Sequence, residues 1–136
     1  MLRTIIIDDE AHIRDTLARL LGRHCPQVSV VGEASGVKEG IDIIQTLHPD
    51  LVLLDINMKD GTGFDLLHAI NTIDFKIIFI SAFDKNMIQA FRLSDVEYLS
   101  KPVNPVELKA AVKNVEQSDQ KDLKLRLKAL VVNAGR

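Results

Sequence analysis

The stretch Thr-Ile-Ile-Ile-Asp-Asp-Glu at residues 4–10 decides the fold. Three β-branched apolar residues run without a polar break and end directly in three acids. Such a run is typical of a strand that is covered on both faces, as in a parallel sheet. Two later runs, Leu51–Asp55 and residues 77–81, repeat the pattern, and each ends in a polar residue. A buried parallel sheet with a polar edge is therefore predicted.

Five strands and five helices are predicted in alternation. The strands are residues 4–8, Val28–Ala34, Leu51–Asp55, Lys76–Ser81 and residues 96–100. Apolar residues recur at helical spacing in residues 13–21, 37–47, 64–70 and 87–93, and a fifth helix begins after Asn104 with Pro105 at its first position. Repeated β-α units with right-handed crossovers predict an α/β fold, a doubly wound five-stranded parallel sheet with helices on both faces.

Composition excludes several classes of protein. The 136 residues suit one domain with its own core, and 17 Lys and Arg against 19 Asp and Glu leave a net charge of −2, without the basic surface that nucleic-acid binding needs. The single cysteine, Cys25, excludes an internal disulfide and a cysteine-based zinc site. No apolar run is long enough to cross a membrane, and no signal peptide is evident. A cytoplasmic location is expected.

Polar residues end the strands at the predicted carboxyl edge, where ligands of open parallel sheets collect. Asp8 and Asp9 follow the first strand, Asp55 ends the third, Ser81 ends the fourth, and Lys101 follows the fifth. Two carboxylates 4 Å apart repel by about 4 kcal/mol at an effective dielectric constant near 20, so a cation is expected among the acids. Oxygen ligands favour Mg²⁺, which also accepts phosphate oxygens. The sequence therefore predicts a phosphoryl-handling site with a divalent metal.

Asp55 is the predicted nucleophile of this site. A carboxylate can attack phosphorus and form an aspartyl phosphate while a metal ion and a lysine neutralise the equatorial oxygens. Asn57, two residues later, lies where its backbone carbonyl could complete the metal shell. Gly61 and Gly63 allow the loop beside the site to turn tightly.

Four motifs follow one another along the chain: Asp8-Asp9-Glu10, Asp55-Ile56-Asn57-Met58, Ser81-Ala82 and Tyr98-Leu99-Ser100-Lys101-Pro102. In this order they resemble the receiver domain of bacterial two-component response regulators. The resemblance covers about residues 2–117 and implies a flavodoxin-like, CheY-like (βα)5 fold with strand order 2-1-3-4-5. It also implies a phosphoacceptor signalling domain rather than an enzyme that turns over substrates.

The resemblance implies how the acids of the site act. Asp55 would accept a phosphoryl group from the phosphohistidine of a sensor histidine kinase. Asp9 would bind Mg²⁺ directly, Asp8 largely through water, and the Asn57 carbonyl would be a further ligand.

It also implies the roles of the residues around the phosphoryl group. Lys101 would contact a phosphoryl oxygen, and its peptide bond to Pro102 would be cis. Ser81 would be the switch hydroxyl, and Tyr98 the aromatic residue that moves inward when that hydroxyl is drawn to the phosphoryl group. Phe83 fills a position that tunes the lifetime of the phosphoryl group. Because an apolar side chain cannot orient a water by hydrogen bonding, a long-lived phosphoryl state is expected.

Residues 1–117 are predicted to be the receiver and residues 118–136 a helical extension. After a polar stretch, Leu123, Leu127 and Leu130 return at helical spacing. A continuous helix from Pro105 to Val132 would be about 42 Å long, too long for so small a domain. The extension is therefore either a frayed tail or a connector, such as a coiled-coil segment, towards a further domain.

Residues 58–67 and 90–99 look most like receivers of LytTR-type transcription regulators. That resemblance implies a DNA-binding output domain beyond Arg136, with no nucleic-acid contact by the receiver itself. Homodimerisation through the fourth helix, fifth strand and fifth helix on phosphorylation is the expected response.

Three other functions compete with this interpretation. A phosphatase of the haloacid-dehalogenase type needs a second acid two residues after the nucleophile, where Asn57 stands. A flavin-nucleotide binder needs a phosphate-binding loop after the first strand, where Asp8 and Asp9 would repel the phosphate. A stand-alone or degenerate receiver that acts only through protein–protein contacts is the third alternative. Retention of Asp9, Asp55, Ser81 and Lys101 argues against a degenerate one.

Overall fold

The computed structural model describes residues 1–82 and 84–134. Its strands are β1 (Leu2–Ile7), β2 (Val28–Ala34), β3 (Leu51–Asp55), β4 (Asn57–Met58), β5 (Gly61–Thr62), β6 (Lys76–Ser81) and β7 (Tyr98–Ser100). Five of them form one parallel sheet in the order β2-β1-β3-β6-β7, and β4 and β5 form a separate antiparallel hairpin. Counted along the five-stranded sheet, this is the order 2-1-3-4-5, so the predicted flavodoxin-like topology is confirmed.

Six helices are present in the described part of the chain. They are α1 (Ala11–His24), α2 (Val37–Leu47), α3 (Gly63–Ala69), α4 (Lys85–Ser94), α5 (Pro105–Gln117) and α6 (Gln120–Ala134). Side-chain caps begin three of them, since Asn104 accepts from the first turn of α5, Asp84 from that of α4, and Thr62 forms a capping box with Asp65 at α3. These oxygens satisfy backbone N–H groups that have no partner inside the helix.

The continuously apolar strands are buried on both faces, as their sequence predicts. Ile5 and Ile7 of β1 pack with α2, α3 and α4, whereas Ile6 packs on the opposite side with α1 and α5. The central strand β3 alternates in the same way and is buried from Leu51 to Asp55. Two helical layers thus exclude water from both faces of the sheet, and Asp8, Asp55 and Ser81 are buried polar residues at its carboxyl edge.

The C-terminal segment forms a second helix that folds back on the domain. The chain turns at Ser118, whose hydroxyl donates to the carbonyl of Val115 at 2.8 Å. Helix α6 then packs against α4, and its Leu123, Leu127 and Leu130 are buried in the core on the α2, α3 and α4 side of the sheet. Because the chain turns between α5 and α6 instead of continuing as one helix, these three leucines are buried against the apolar side chains of the domain.

Polar contacts hold α6 at both of its ends. The Gln120 amide donates to the carbonyls of Ile73 and Phe75, at 3.3 and 3.0 Å. Near the other end, the Asn133 amide donates to the hydroxyl of Ser94 at 2.9 Å. Within the described residues, no helix combines the length and hydrophobicity required to span a bilayer.

Candidate functional site

Strand register brings the polar strand ends together. Ile7 pairs with Leu54, so Asp8 and Asp55 follow on neighbouring strands at the same edge of the sheet. On the other side, the pairing of Ser81 with Ser100 brings Lys101 to this edge, where its backbone N–H donates to the Ser81 carbonyl at 2.8 Å. Residues far apart in the sequence therefore converge on one site.

The Lys101 ammonium group lies between the acids of the site. Its Nζ is 2.9 Å from Asp8 Oδ2, 3.5 Å from Asp55 Oδ2 and 3.9 Å from Glu10 Oε1. Both aspartate side chains are almost fully buried, at 0% and 4% exposed. One positive charge therefore pairs with three negative charges, and the site has a net negative charge.

Two carboxylate oxygens of this site are short of partners. Asp8 Oδ2 and Asp55 Oδ2 are buried and, apart from the Lys101 ammonium, no described residue offers them a hydrogen-bond donor. Asp8 Oδ1, by contrast, accepts from the backbone N–H of Glu10 at 2.8 Å. Buried carboxylate oxygens without donors are costly unless a cation faces them, so the donor set fits a hard divalent ion.

The three consecutive acids after β1 form a carboxylate cluster beside these oxygens. One oxygen from each of Asp8, Asp9 and Glu10 lies within 4.8 Å of the others. Asp8 is buried, Asp9 half-buried and Glu10 exposed, so the cluster runs from the core to solvent. Ligand roles are predicted from the sequence for Asp8 and Asp9, but none is predicted for Glu10.

Electrostatics distinguish Asp55 from an ordinary surface acid. Burial first, and the charge of Asp8 second, raise the pKa of Asp55 from 3.8 to about 6, while Lys101 and the backbone N–H of Asn57 oppose the rise. The charge of Asp9 also raises this pKa. A pKa near 6 leaves Asp55 mostly ionised at neutral pH, and its negative charge is poorly solvated.

The pKa of Lys101 is raised as well, which favours its charged form. Burial alone would lower the pKa of Lys101, but its contact with Asp8 and the charges of Asp55 and Glu10 outweigh burial and raise it. The ammonium group is therefore firmly protonated. Its peptide bond to Pro102 is cis, as the resemblance implies.

A tight loop follows Asp55 along the edge of the site. The backbone N–H of Gly63 donates to the carbonyl of Ile56 at 2.9 Å, and Gly61 has a φ of +146° that L side chains rarely adopt. A Cβ on Gly63 would lie 2.8 Å from the backbone oxygen of Asp55. Both glycines are therefore required by the backbone, as the sequence predicts. Asn57 lies in this loop, in β4, and is exposed.

Ser81 and Tyr98 lie on neighbouring strands beyond the acids. The buried Ser81 hydroxyl donates to the carbonyl of Ala82 at 3.0 Å. Tyr98 is half-buried, and its hydroxyl accepts a hydrogen bond from Arg92 Nε at 3.1 Å. In this structure neither hydroxyl bonds to Asp55 or Lys101.

A column of aromatic rings connects Tyr98 to the loop after Asp55. Tyr98 stacks on Phe91 with ring centroids 5.0 Å apart, Phe91 stacks on Phe79 at 5.5 Å, and Phe79 contacts Phe64 at 5.9 Å. The column crosses β7, α4, β6 and α3. Phe83, the predicted tuning residue, lies outside the described residues.

Comparison with known families agrees with this architecture. The chain matches the response regulator receiver domain family over residues 4–113. This protein belongs to that family. The match includes both aspartates of the first strand end, Asp55, Ser81 and Lys101, so the whole site lies within the family's domain.

Named relatives of the receiver are response regulators. It is 41% identical over 119 residues to an uncharacterized response regulatory protein of Vibrio parahaemolyticus, covering 86% of this chain and 48% of that protein. It is 30% identical over 119 residues to the sensory transduction protein LytT of Bacillus subtilis, covering 86% of this chain and 49% of that one. The chain thus spans about half the length of these curated relatives.

A solved structure matches the receiver over nearly its full extent. The signal receiver domain of the putative response regulator NarL from Mycobacterium tuberculosis superposes with a TM-score of 0.72 at 26% identity. The match covers 86% of this chain and 98% of that domain. The five-stranded parallel sheet with flanking helices is therefore the fold of known receivers.

Two residues that support the receiver's site were not predicted from the sequence. Arg14 of α1 donates from Nη1 to the backbone carbonyl of Asp8 at 2.6 Å and from Nε to Glu33 at 3.2 Å, which ties the acid-bearing turn to β2. The sequence feature that could have predicted this contact is the position of Arg14 near the start of α1, four residues after Glu10.

Asp60 is the second unpredicted residue. Its carboxylate accepts from the backbone N–H groups of Val37 and Lys38, at 2.8 and 3.2 Å, and so caps α2 from another loop. These two hydrogen bonds lower the pKa of Asp60. No local signal predicts this contact because the partners lie 23 and 22 residues away.

Proposed function

We propose that this receiver is the phosphoacceptor of a two-component phosphorelay and that Asp55 takes the phosphoryl group. A carboxylate oxygen of Asp55 attacks the phosphorus of a phosphohistidine on a sensor histidine kinase. The N–P bond breaks as the O–P bond forms, and the imidazole leaves. The observation that carries the proposal is the poorly solvated Asp55 carboxylate, buried beside Asp8 and within 3.5 Å of Lys101.

Mg²⁺ is the cation that the acidic edge would hold. Asp8, Asp9 and Asp55 would supply carboxylate oxygens, and Asn57 its backbone carbonyl; the orphaned oxygens of Asp8 and Asp55 support this assignment. When bound, Mg²⁺ offsets the charge that accumulates as a phosphoryl group approaches the acids. Lys101, whose ammonium group lies 3.5 Å from Asp55 Oδ2, would neutralise a phosphoryl oxygen.

The conformational switch in this proposal begins at Ser81 and Lys101. A phosphoryl group on Asp55 adds negative charge and acceptor oxygens, which attract the Ser81 hydroxyl and the Lys101 ammonium. Tyr98 then moves inward along the aromatic column, and the surface formed by α4, β7 and α5 changes. Tyr98 is half-buried, and the hydrogen-bond partner of its hydroxyl among the described residues is the exposed Arg92, which is consistent with a ring that adopts two positions.

The altered surface is proposed to transmit the signal. Homodimerisation through α4, β7 and α5, a cytoplasmic location and control of a DNA-binding output domain of LytTR type complete the proposal. The similarity to LytT over only half of that protein's length supports a further domain. In this proposal residues 1–117 are the receiver and residues 118–136 are an extension that precedes the output domain, with α6 of the extension packed back against α4.

Phosphorylation with acetyl phosphate and Mg²⁺ tests the proposal by intact mass. The wild-type chain is expected to gain one phosphoryl group, whereas Asp55→Asn gains none because the nucleophilic oxygen pair is lost. Asp50→Asn is the matched control, since Asp50 precedes the amino end of the same strand and should label like wild type. Undiminished labelling of Asp55→Asn would reject Asp55 as the acceptor.

A further inference from the structure

A cavity separate from the acidic site lies between α3, the segment that follows it, and α6. Its volume is about 340 Å³, within the range of roughly 300 to 1,000 Å³ that is typical of small-molecule sites. Most of its wall is apolar and includes Phe64, Leu67, Ile73, Leu127 and Leu130. Leu127 and Leu130 come from α6, so the cavity exists because this helix folds back on the domain.

Two lysines on one face of α6 give the cavity its charge. Lys124 and Lys128, one helical turn apart, line it, whereas none of its described lining residues is an aspartate or a glutamate. Both lysines are exposed, and neither forms an ion pair with a residue in the described ranges. His68, Asn71 and Thr72 add polar groups on the facing side.

We propose that this cavity binds a small amphipathic carboxylate, with its apolar body against the leucines and Phe64 and its head group beside Lys124 and Lys128. An apolar wall selects a ligand with a hydrocarbon or aromatic body, because a bare inorganic anion would leave that wall uncovered. The two uncompensated ammonium groups select a negative head group over a neutral or positive one. Neither feature involves the residues assigned to phosphoryl transfer.

Calorimetric titration of the full chain with octanoate and with 3-phenylpropionate tests the proposal. The first probe represents fatty acids and the second aromatic acids. At least one is expected to bind at one site with a Kd between about 10 μM and 1 mM, as befits a ligand of this size. Octanamide, which keeps the chain of octanoate but lacks its charge, should bind several-fold more weakly. Failure of both acids to bind, or equal binding of octanamide and octanoate, overturns the proposal.

Paired lysine variants locate the head group. Lys124→Gln/Lys128→Gln should weaken carboxylate binding roughly 5- to 30-fold, because two exposed charge contacts are lost. Lys109→Gln/Lys113→Gln on α5 is the matched control, since it removes the same charge at the same spacing from exposed positions outside the cavity. Its affinity should stay within about twofold of wild type. Equal losses in the two pairs would show an effect of net charge alone and overturn the site.

Methyl NMR spectra locate the apolar body. Carboxylate binding should shift signals of Ile73, Leu127 and Leu130, and leave Leu17 and Leu108 on the opposite side of the sheet unchanged. Shifts confined to the second group overturn the location. If the cavity signals shift with protein concentration in the absence of any ligand, a second copy of the chain occupies the cavity and the small-ligand assignment is wrong.

Discussion

Replacement of Asp55 by asparagine should make the metal-free receiver more stable at neutral pH. The ionised carboxylate is buried next to Asp8, and these two factors raise the pKa of Asp55 from 3.8 to about 6. Asparagine has nearly the same shape and removes the charge. Lys101 keeps its 2.9 Å contact with Asp8 in the variant, so its ammonium group is not left unpaired.

The expected gain in stability of Asp55→Asn follows from the pKa shift of Asp55. A rise from 3.8 to about 6 corresponds to about 3 kcal/mol of folding free energy lost when Asp55 ionises. Solvent at the open edge of the site screens part of this effect, so a gain of about 1 to 2 kcal/mol is expected for Asp55→Asn at pH 7 to 8.

The sign of the pH dependence is specific to a raised acid pKa. Between the unfolded value of 3.8 and the folded value of about 6, the folded state binds more protons than the unfolded state. The contribution of Asp55 to stability is therefore complete below about pH 4 and is lost as the pH rises through 6. The difference between wild type and Asp55→Asn should accordingly grow over this window and level off above it.

Urea unfolding in EDTA, followed by circular dichroism from pH 4.5 to 8, measures this difference. Asp15→Asn, an exposed residue of α1, is the control and should stay within about 0.5 kcal/mol of wild type. Added Mg²⁺ should stabilise wild type more than Asp55→Asn and narrow the gap between them. A destabilised Asp55→Asn, or a gap that is the same at pH 4.5 and pH 8, would refute this electrostatic account.

Two further predictions concern the loop and helix contacts around the site. Asp60→Ala should destabilise the receiver because α2 loses its cap, whereas Asp60→Asn, which retains an acceptor oxygen, should lose less. The two backbone hydrogen bonds lower the pKa of Asp60. The difference in stability between wild type and Asp60→Ala should therefore be full above pH 4 and shrink in acid. Thermal unfolding at several pH values measures this difference, and a difference that stays constant would contradict the prediction. Leu127→Ala should cost about 2 to 4 kcal/mol in urea unfolding because this leucine is buried, against less than about 0.5 kcal/mol for Leu125→Ala, which is 67% exposed. Equal losses in these two variants would mean that α6 does not pack as described.

The fold was predictable because its signals are local. Three unbroken apolar runs require strands covered on both faces, and the helical periodicity between them requires β-α crossovers. The short β4–β5 hairpin was not predicted, and two strand boundaries differed, as β1 begins at Leu2 and β7 at Tyr98. At β1, the Leu2 backbone N–H donates to Gln27 at 2.7 Å and extends the strand towards β2. At β7, Val96 lies outside the ladder although it is buried.

The polar residues at the strand ends were also predictable, because the side chain that ends a buried strand must reach the edge of the sheet. That rule placed Asp8, Asp55, Ser81 and Lys101 on one edge before any contact was known. It did not predict that a single ammonium group would face two buried aspartates, since side-chain distances depend on how neighbouring strands are offset.

Tertiary structure alone decided the contacts between distant segments. Asp60 reaches α2 across more than twenty residues, and Arg14 joins the turn after β1 to β2. The chain turns at Ser118, and α6 then packs on the α2, α3 and α4 side of the sheet. In each case the partners are set by the packing of whole elements against one another. The sequence by itself thus determined which segments are buried and which residues line the carboxyl edge, because burial pattern is a property of each segment. The pairing of those residues is a property of the assembled chain, because charges and hydrogen-bonding groups meet only where packed elements bring them within a few ångströms.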